Sequence, residues 1–225
     1  MFSIYELLYL IKILDYYEPG LVSIIKYYIN TYTFETRKEL RYIIDKQDMI
    51  DSWIGINKDY VNKYGHISYW DISNITDISN LFFDTCFNNN INRWDVSNVT
   101  NMHCIFGCIF NFNQPLNNWD VSNVTNMSHM FSSAIKFNQP LNNWDVSNVT
   151  NMHSVFHSAS KFNQPIDSWN VSKVTDMNKM FSYATSFNQS LTNWDVSQVT
   201  KMKNIFNYCP NGNYQPDTIK HFKLR

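Results

Sequence analysis

The chain has 225 residues, and 18 Lys+Arg against 19 Asp+Glu leave no global field to draw it to nucleic acid or an anionic membrane. No apolar run reaches the roughly 18 residues of a membrane span. Only five glycines are present, none grouped as a phosphate cradle or nucleophile elbow, which removes the commonest enzyme signatures.

From the N-terminus, Met1 to Tyr17 is apolar but interrupted by Glu6, Lys12 and Asp15, and it lacks a basic start, so no signal peptide is expected. Residues 6–17 and 21–32 read as two short Tyr-rich helices broken at Pro19-Gly20, within an N-terminal helical segment 1–34. A helical cap is expected over 35–66. Its first helix runs from Thr36 to Gln47 with Leu40, Ile43 and Ile44 on one side, and a second stretch runs from Met49 to Tyr64.

From there the chain repeats. Tryptophans fall at Trp70, Trp94, Trp119, Trp144, Trp169 and Trp194, at intervals of 25 after a first of 24. A fixed period in this range marks a solenoid, in which each unit buries its apolar face only against its neighbours. The expected fold is an α/β, leucine-rich-repeat-like solenoid of six rungs over 67–209, closed by a C-terminal capping tail, 210–225.

In one rung, Leu116, Trp119 and Val121 have the spacing of a leucine-rich-repeat strand, with Asp120 on its opposite face. Ser122-Asn123 turns the chain, and Thr125 is placed as the N-cap of a short helix. Met127, Met130, Phe131 and Ala134, at i, i+3, i+4 and i+7, form that helix's apolar stripe. Phe137 plugs the return corner, and Asn138-Gln139-Pro140 leads to the next strand. The recurring Asn-Gln pairs are expected to hydrogen-bond along the stack. Each large apolar side chain contributes about 1.5–3 kcal/mol once buried, so a rung needs both neighbours to offset its ordering cost.

The unit W-D-V-S-N-V-T-N-M-x-x-M-F-x-x-A-x-x-F-N-Q-P-L resembles the repeat of the BspA-like leucine-rich-repeat surface proteins, found in mycoplasma lipoproteins, other bacterial surface proteins, some protists and large DNA viruses of amoebae. The match runs from about Tyr64 to Tyr208, and the approach Tyr64-Gly65-His66-Ile67-Ser68-Tyr69-Trp70-Asp71 is similar to the family's lead into its first repeat. The resemblance implies an adhesion or protein-binding scaffold with no catalytic residues. Lacking the bacterial members' signal peptide and lipid-anchor cysteine, the chain is similar to the viral branch. That implies synthesis in a host cytoplasm or a place in the virion. Some viral members carry an F-box-like segment, and Ile4 to Tyr28 has about that length without the Leu-Pro start. A host ubiquitin-ligase adaptor is therefore the alternative function.

No metal or cofactor is expected. His153 and His157 stand at i, i+4 without a third ligand, and Cys104 and Cys108 share that spacing. Cys86 and Cys108 lie on adjacent rungs, but all four cysteines read as reduced fillers. The repeated acidic column is the first choice for a contact surface with a protein partner: Asp71, Asp95, Asp120, Asp145 and Asp195, with Asn170 once, flanked by Asn118, Asn143, Ser168 and Asn193. Each Asp can equally accept bonds from the Ser and backbone N–H of its own D-V-S turn. The two stack ends and the strand face are the surfaces through which an oligomer would form.

Overall fold

The computed structural model describes residues 33–51 and 67–209, with side chains over 33–44 and 67–209. The expected helices over 6–17 and 21–32, the F-box-like stretch, the second cap stretch beyond Asp51 and the tail from 210 lie outside the described residues. Helix α1, Arg37–Asp51, buries Leu40, Ile43 and Ile44. A 3-10 turn, Ile67–Tyr69, opens the repeats.

Six units then stack in register. Parallel bridges join Asp77, Asn101, Asn126, Asn151, Asp176 and Lys201 in succession, one residue per unit. No unit contains the expected strand or helix. Leu116–Trp119 is a turn closed by Trp119 N–H to the Leu116 carbonyl at 3.1 Å, and Val121–Val124 is another at 2.9 Å. Two turns so close together curl the chain too tightly for an extended strand. The parallel contact falls instead on the T-N dipeptide that follows.

The expected helix is replaced by overlapping turns. Met130, Ser132 and Ala134 N–H groups donate three residues back, to Met127, His129 and Phe131. The intervening amides leave the unit altogether: Met127, His129, Phe131 and Ser133 donate to the carbonyls of Asn151, His153, Val155 and His157 in the next unit, at 2.7–3.0 Å. Two residues per unit adopt left-handed conformations, His129 (φ 57°) and Ser133 (φ 60°) here, which no α-helix accommodates. An i, i+3, i+4, i+7 stripe fits a string of i→i+3 turns as well as a helix, so the inward set is as read while the backbone differs. Thr125 caps nothing. Its N–H and Oγ1 both donate to the Thr100 carbonyl of the preceding unit, at 2.9 and 3.2 Å.

The core is columnar. Phe82, Phe106, Phe131, Phe156, Phe181 and Phe206 follow one another with ring centroids 5.5–5.9 Å apart. A second column, Phe87 to Phe187, lies against the first at about 4 Å within each of the first five units. Every repeat tryptophan is 2–4% exposed. From Trp94 onward the indole N–H donates to the carbonyl at the leucine position one unit earlier, as Trp144 does to Leu116 at 3.0 Å. That carbonyl thus accepts both the Trp119 amide and the Trp144 indole, filling its two lone pairs.

At the N-terminal end α1 lies over the first unit. Phe34 is buried against Trp70, with centroids 4.8 Å apart, and its N–H donates to the Asp71 carbonyl at 3.0 Å. Arg37 donates to the Ser79 carbonyl, and Arg41 to those of Asn80 and Leu81.

Candidate functional site

Three polar rows run the length of the stack. In the first, the W-D-V-S turn uses its acid as a cap: Ser73, Ser97, Ser122, Ser147 and Ser197 N–H groups each donate to Oδ1 of Asp71, Asp95, Asp120, Asp145 and Asp195 at 3.0 Å. Asn170 does the same for Ser172 at 3.2 Å. The Ser97 hydroxyl adds a second bond to Asp95 at 2.6 Å. All but Asp71 are exposed. Hydrogen bonds from the Ser147 side chain and backbone hold the Asp145 carboxyl below its usual range, aided by Lys173. Burial works against ionisation of Asp71, but bonds from Ser73 and Thr33 outweigh it and lower its pKa.

The flanking amides are exposed yet engaged. Asn118 N–H donates to Asn92 Oδ1 at 3.0 Å, and Asn118 Oδ1 accepts from Asn117 at 3.1 Å. Asn143 Oδ1 accepts from Asn142 at 2.9 Å. Asn193 bonds both carboxylate oxygens of Asp167, and the Ser168 hydroxyl donates to the Asn142 carbonyl at 3.1 Å. These residues therefore line one face, but their first chemistry is turn closure and unit-to-unit bonding. An open depression of about 390 Å³, lined by Thr192–Ser197, marks this face at the last unit.

The second row is the F-N-Q corner. Asn113, Asn138, Asn163 and Asn188 N–H groups each donate to the amide oxygen of the preceding unit's asparagine, at 2.9–3.1 Å. The following glutamine donates to that same oxygen. This row is structural, since each amide satisfies the corner of its neighbour.

The third row contains histidines that sequence spacing kept apart. His103, His129 and His153 rings meet edge to face, with centroids 5.6 and 4.8 Å apart. His103 Nδ1 contacts the Ser128 hydroxyl at 2.7 Å, and His153 Nδ1 lies 3.7 Å from Asp176. Burial, then the neighbouring histidines and Lys179, push the His129 pKa down to about 4. His157, edge-on to Tyr183, is lowered by burial first and Lys179 second. His129 stands one position out of register with His103 and His153, so a 25-residue comparison misses it. Its ring nonetheless contacts both of the others.

Among the described residues no group of three or more His, Cys, Asp or Glu side chains is arranged to hold a metal ion, and no helix is long and apolar enough to cross a membrane. The four cysteines are free, and burial pushes the Cys104 and Cys209 thiols up to about 11. A family model described as mycoplasma protein of unknown function, DUF285, matches residues 48–146 and 110–219. No match was found among curated proteins or among solved structures.

Proposed function

Since the chain belongs to the DUF285 family of mycoplasma proteins of unknown function, a repeat family, we propose that its stacked units form a solenoid serving as a non-enzymatic scaffold for a protein partner. The observation that carries this reading is the W-D-V-S face, where an acidic turn recurs in five of six units, exposed in four of them, at a fixed offset from a buried tryptophan. Such a row suits an extended basic partner surface better than a small molecule, because no single unit concentrates the convergent groups a reaction needs.

The turn geometry supplies a clean test. Asn170 caps its turn as the aspartates cap theirs, so Asp120→Asn and Asp145→Asn keep the bond to Ser122 and Ser147 while removing two charges. Affinity capture followed by mass spectrometry should lose the partner with the double variant while the unfolding midpoint stays within experimental error. Undiminished capture of the same partner removes this face from consideration.

A further inference from the structure

The two residues that follow T-x-M contribute one basic side chain in every unit from the second to the sixth. They read His103-Cys104, Ser128-His129, His153-Ser154, Asn178-Lys179 and Lys203-Asn204. The base alternates between first and second position, and its neighbour is always neutral. The structure makes this a continuous single file. His129 bridges His103 and His153, with centroids 5.6 and 4.8 Å apart, and the charge of Lys179 acts on both His129 and His157. Lys179 N–H donates to the Lys203 carbonyl of the next unit at 2.9 Å. The three histidines are half-buried and both lysines exposed. Units joined by parallel bridges follow one another at about 4.7–4.9 Å, so the row offers one cation per step.

The groups facing the row leave it cationic. His103 Nδ1 meets the neutral Ser128 hydroxyl, and His157 stands edge-on to Tyr183. Asp176 lies 3.7 Å from His153, but Lys201 engages its other oxygen at 3.4 Å. Burial, then the charges of His153, His103, His157 and Lys179, hold the His129 pKa down at about 4. An anion laid along the row opposes the repulsive part of that effect, because a neighbouring opposite charge favours the charged imidazole.

We propose that this row is an acid-gated binding site for an extended acidic polysaccharide carrying one carboxylate per sugar. Spacing selects the ligand class. Side chains on one face of an extended peptide recur at roughly 6.6–6.8 Å, twice the rise per residue. Phosphates along one strand of a duplex recur at about 3.4 Å. Both fall out of step with the units within a few repeats, whereas a chain of linked pyranose rings advances close to one sugar per unit. Uronate carboxyls, with the acidity of an α-carboxyl at about 3.3–3.7, stay ionised where imidazoles gain their charge. Binding and proton uptake are therefore linked, each favouring the other.

The test titrates the full chain with polygalacturonate in a calorimeter at pH 5 and pH 7.5. Because the imidazoles add ion pairs to those of the lysines, affinity should be at least about tenfold higher at pH 5. Binding should also take up protons, read as heats that vary with the buffer's ionisation enthalpy. His103→Gln with His153→Gln should remove most of the pH dependence. Lys136→Gln takes away an exposed cation outside the row and should leave it unchanged. Should the double variant fail to fold, proton uptake by the unsubstituted chain decides. Absent binding at pH 5, equal affinity at the two pH values, binding without proton uptake, or an equal loss in Lys136→Gln overturns the proposal. So does single-stranded DNA that binds as tightly at pH 5.

Discussion

Left-handed backbone is the residue-scale signature of this protein. Twelve non-glycine residues with φ of 55–61°, from Asn80 to Tyr208, hold two positions in every unit. Each costs about 1–2 kcal/mol relative to right-handed backbone, and in the first five units the forward ladder offsets that cost by giving each such residue a 2.7–3.0 Å bond to the next unit. Ser133→Gly should therefore stabilise the protein by about 0.5–1 kcal/mol, whereas Ser132→Gly, outside the left-handed set, should weaken it. Urea denaturation of the two variants decides the point. Gly107 has a different constraint: a Cβ there would lie 2.5 Å from Cys104 Sγ and 3.0 Å from Phe83, so it is small for lack of space.

At the same scale, His129 links stability to pH. Its folded pKa, about 4, lies below the ordinary 6.5, so the folded state binds its proton less readily than the unfolded chain does. The stability it permits is complete above pH 6.5 and declines as pH falls toward 4. After allowance for partial solvent exposure the loss should be about 1–2 kcal/mol. The slope of unfolding free energy over that window should flatten in His129→Gln. A thiol-labelling time course at neutral pH should show exposed Cys86 reacting well before Cys104 and Cys209, whose raised pKa values suppress the thiolate.

At the scale of the element, the unit is a polygon of turns held by its neighbours. Its inward positions were legible from spacing: Leu116, Trp119, Val121, Val124, Met127, Met130, Phe131, Ala134 and Phe137 are all 3% exposed or less. Its backbone was not legible, because an apolar stripe records which side chains face inward and says nothing of whether N–H groups bond within the unit or to the next one. The acidic column shows the same division. Its recurrence could be read from the sequence, while the 3.0 Å cap on each serine amide needed coordinates. Trp144→Phe keeps most of the buried area but removes the indole bond to Leu116. The expected loss is about 1–2 kcal/mol by chemical denaturation, because the carbonyl retains the Trp119 amide. A loss as large as the 3–5 kcal/mol of a core aromatic deletion would contradict this assignment.

For the whole molecule, stability resides in interfaces between like units, so register matters more than unit number. Excising residues 119–143 joins Asn118 to Trp144 and re-creates the same junction. The shortened chain should still unfold cooperatively, with a lower midpoint and a smaller denaturant slope. Excising 119–130 removes half a unit, mismatches every later column, and should abolish the cooperative transition. The amino-acid sequence alone determined the period, the six-fold recurrence and the inward set, since periodic chemistry follows directly from periodic residues. Tertiary structure alone decided how each unit's peptides are directed and which histidines meet. Those properties depend on φ angles and hydrogen-bond direction between residues two dozen positions apart, and residue identity does not encode them locally.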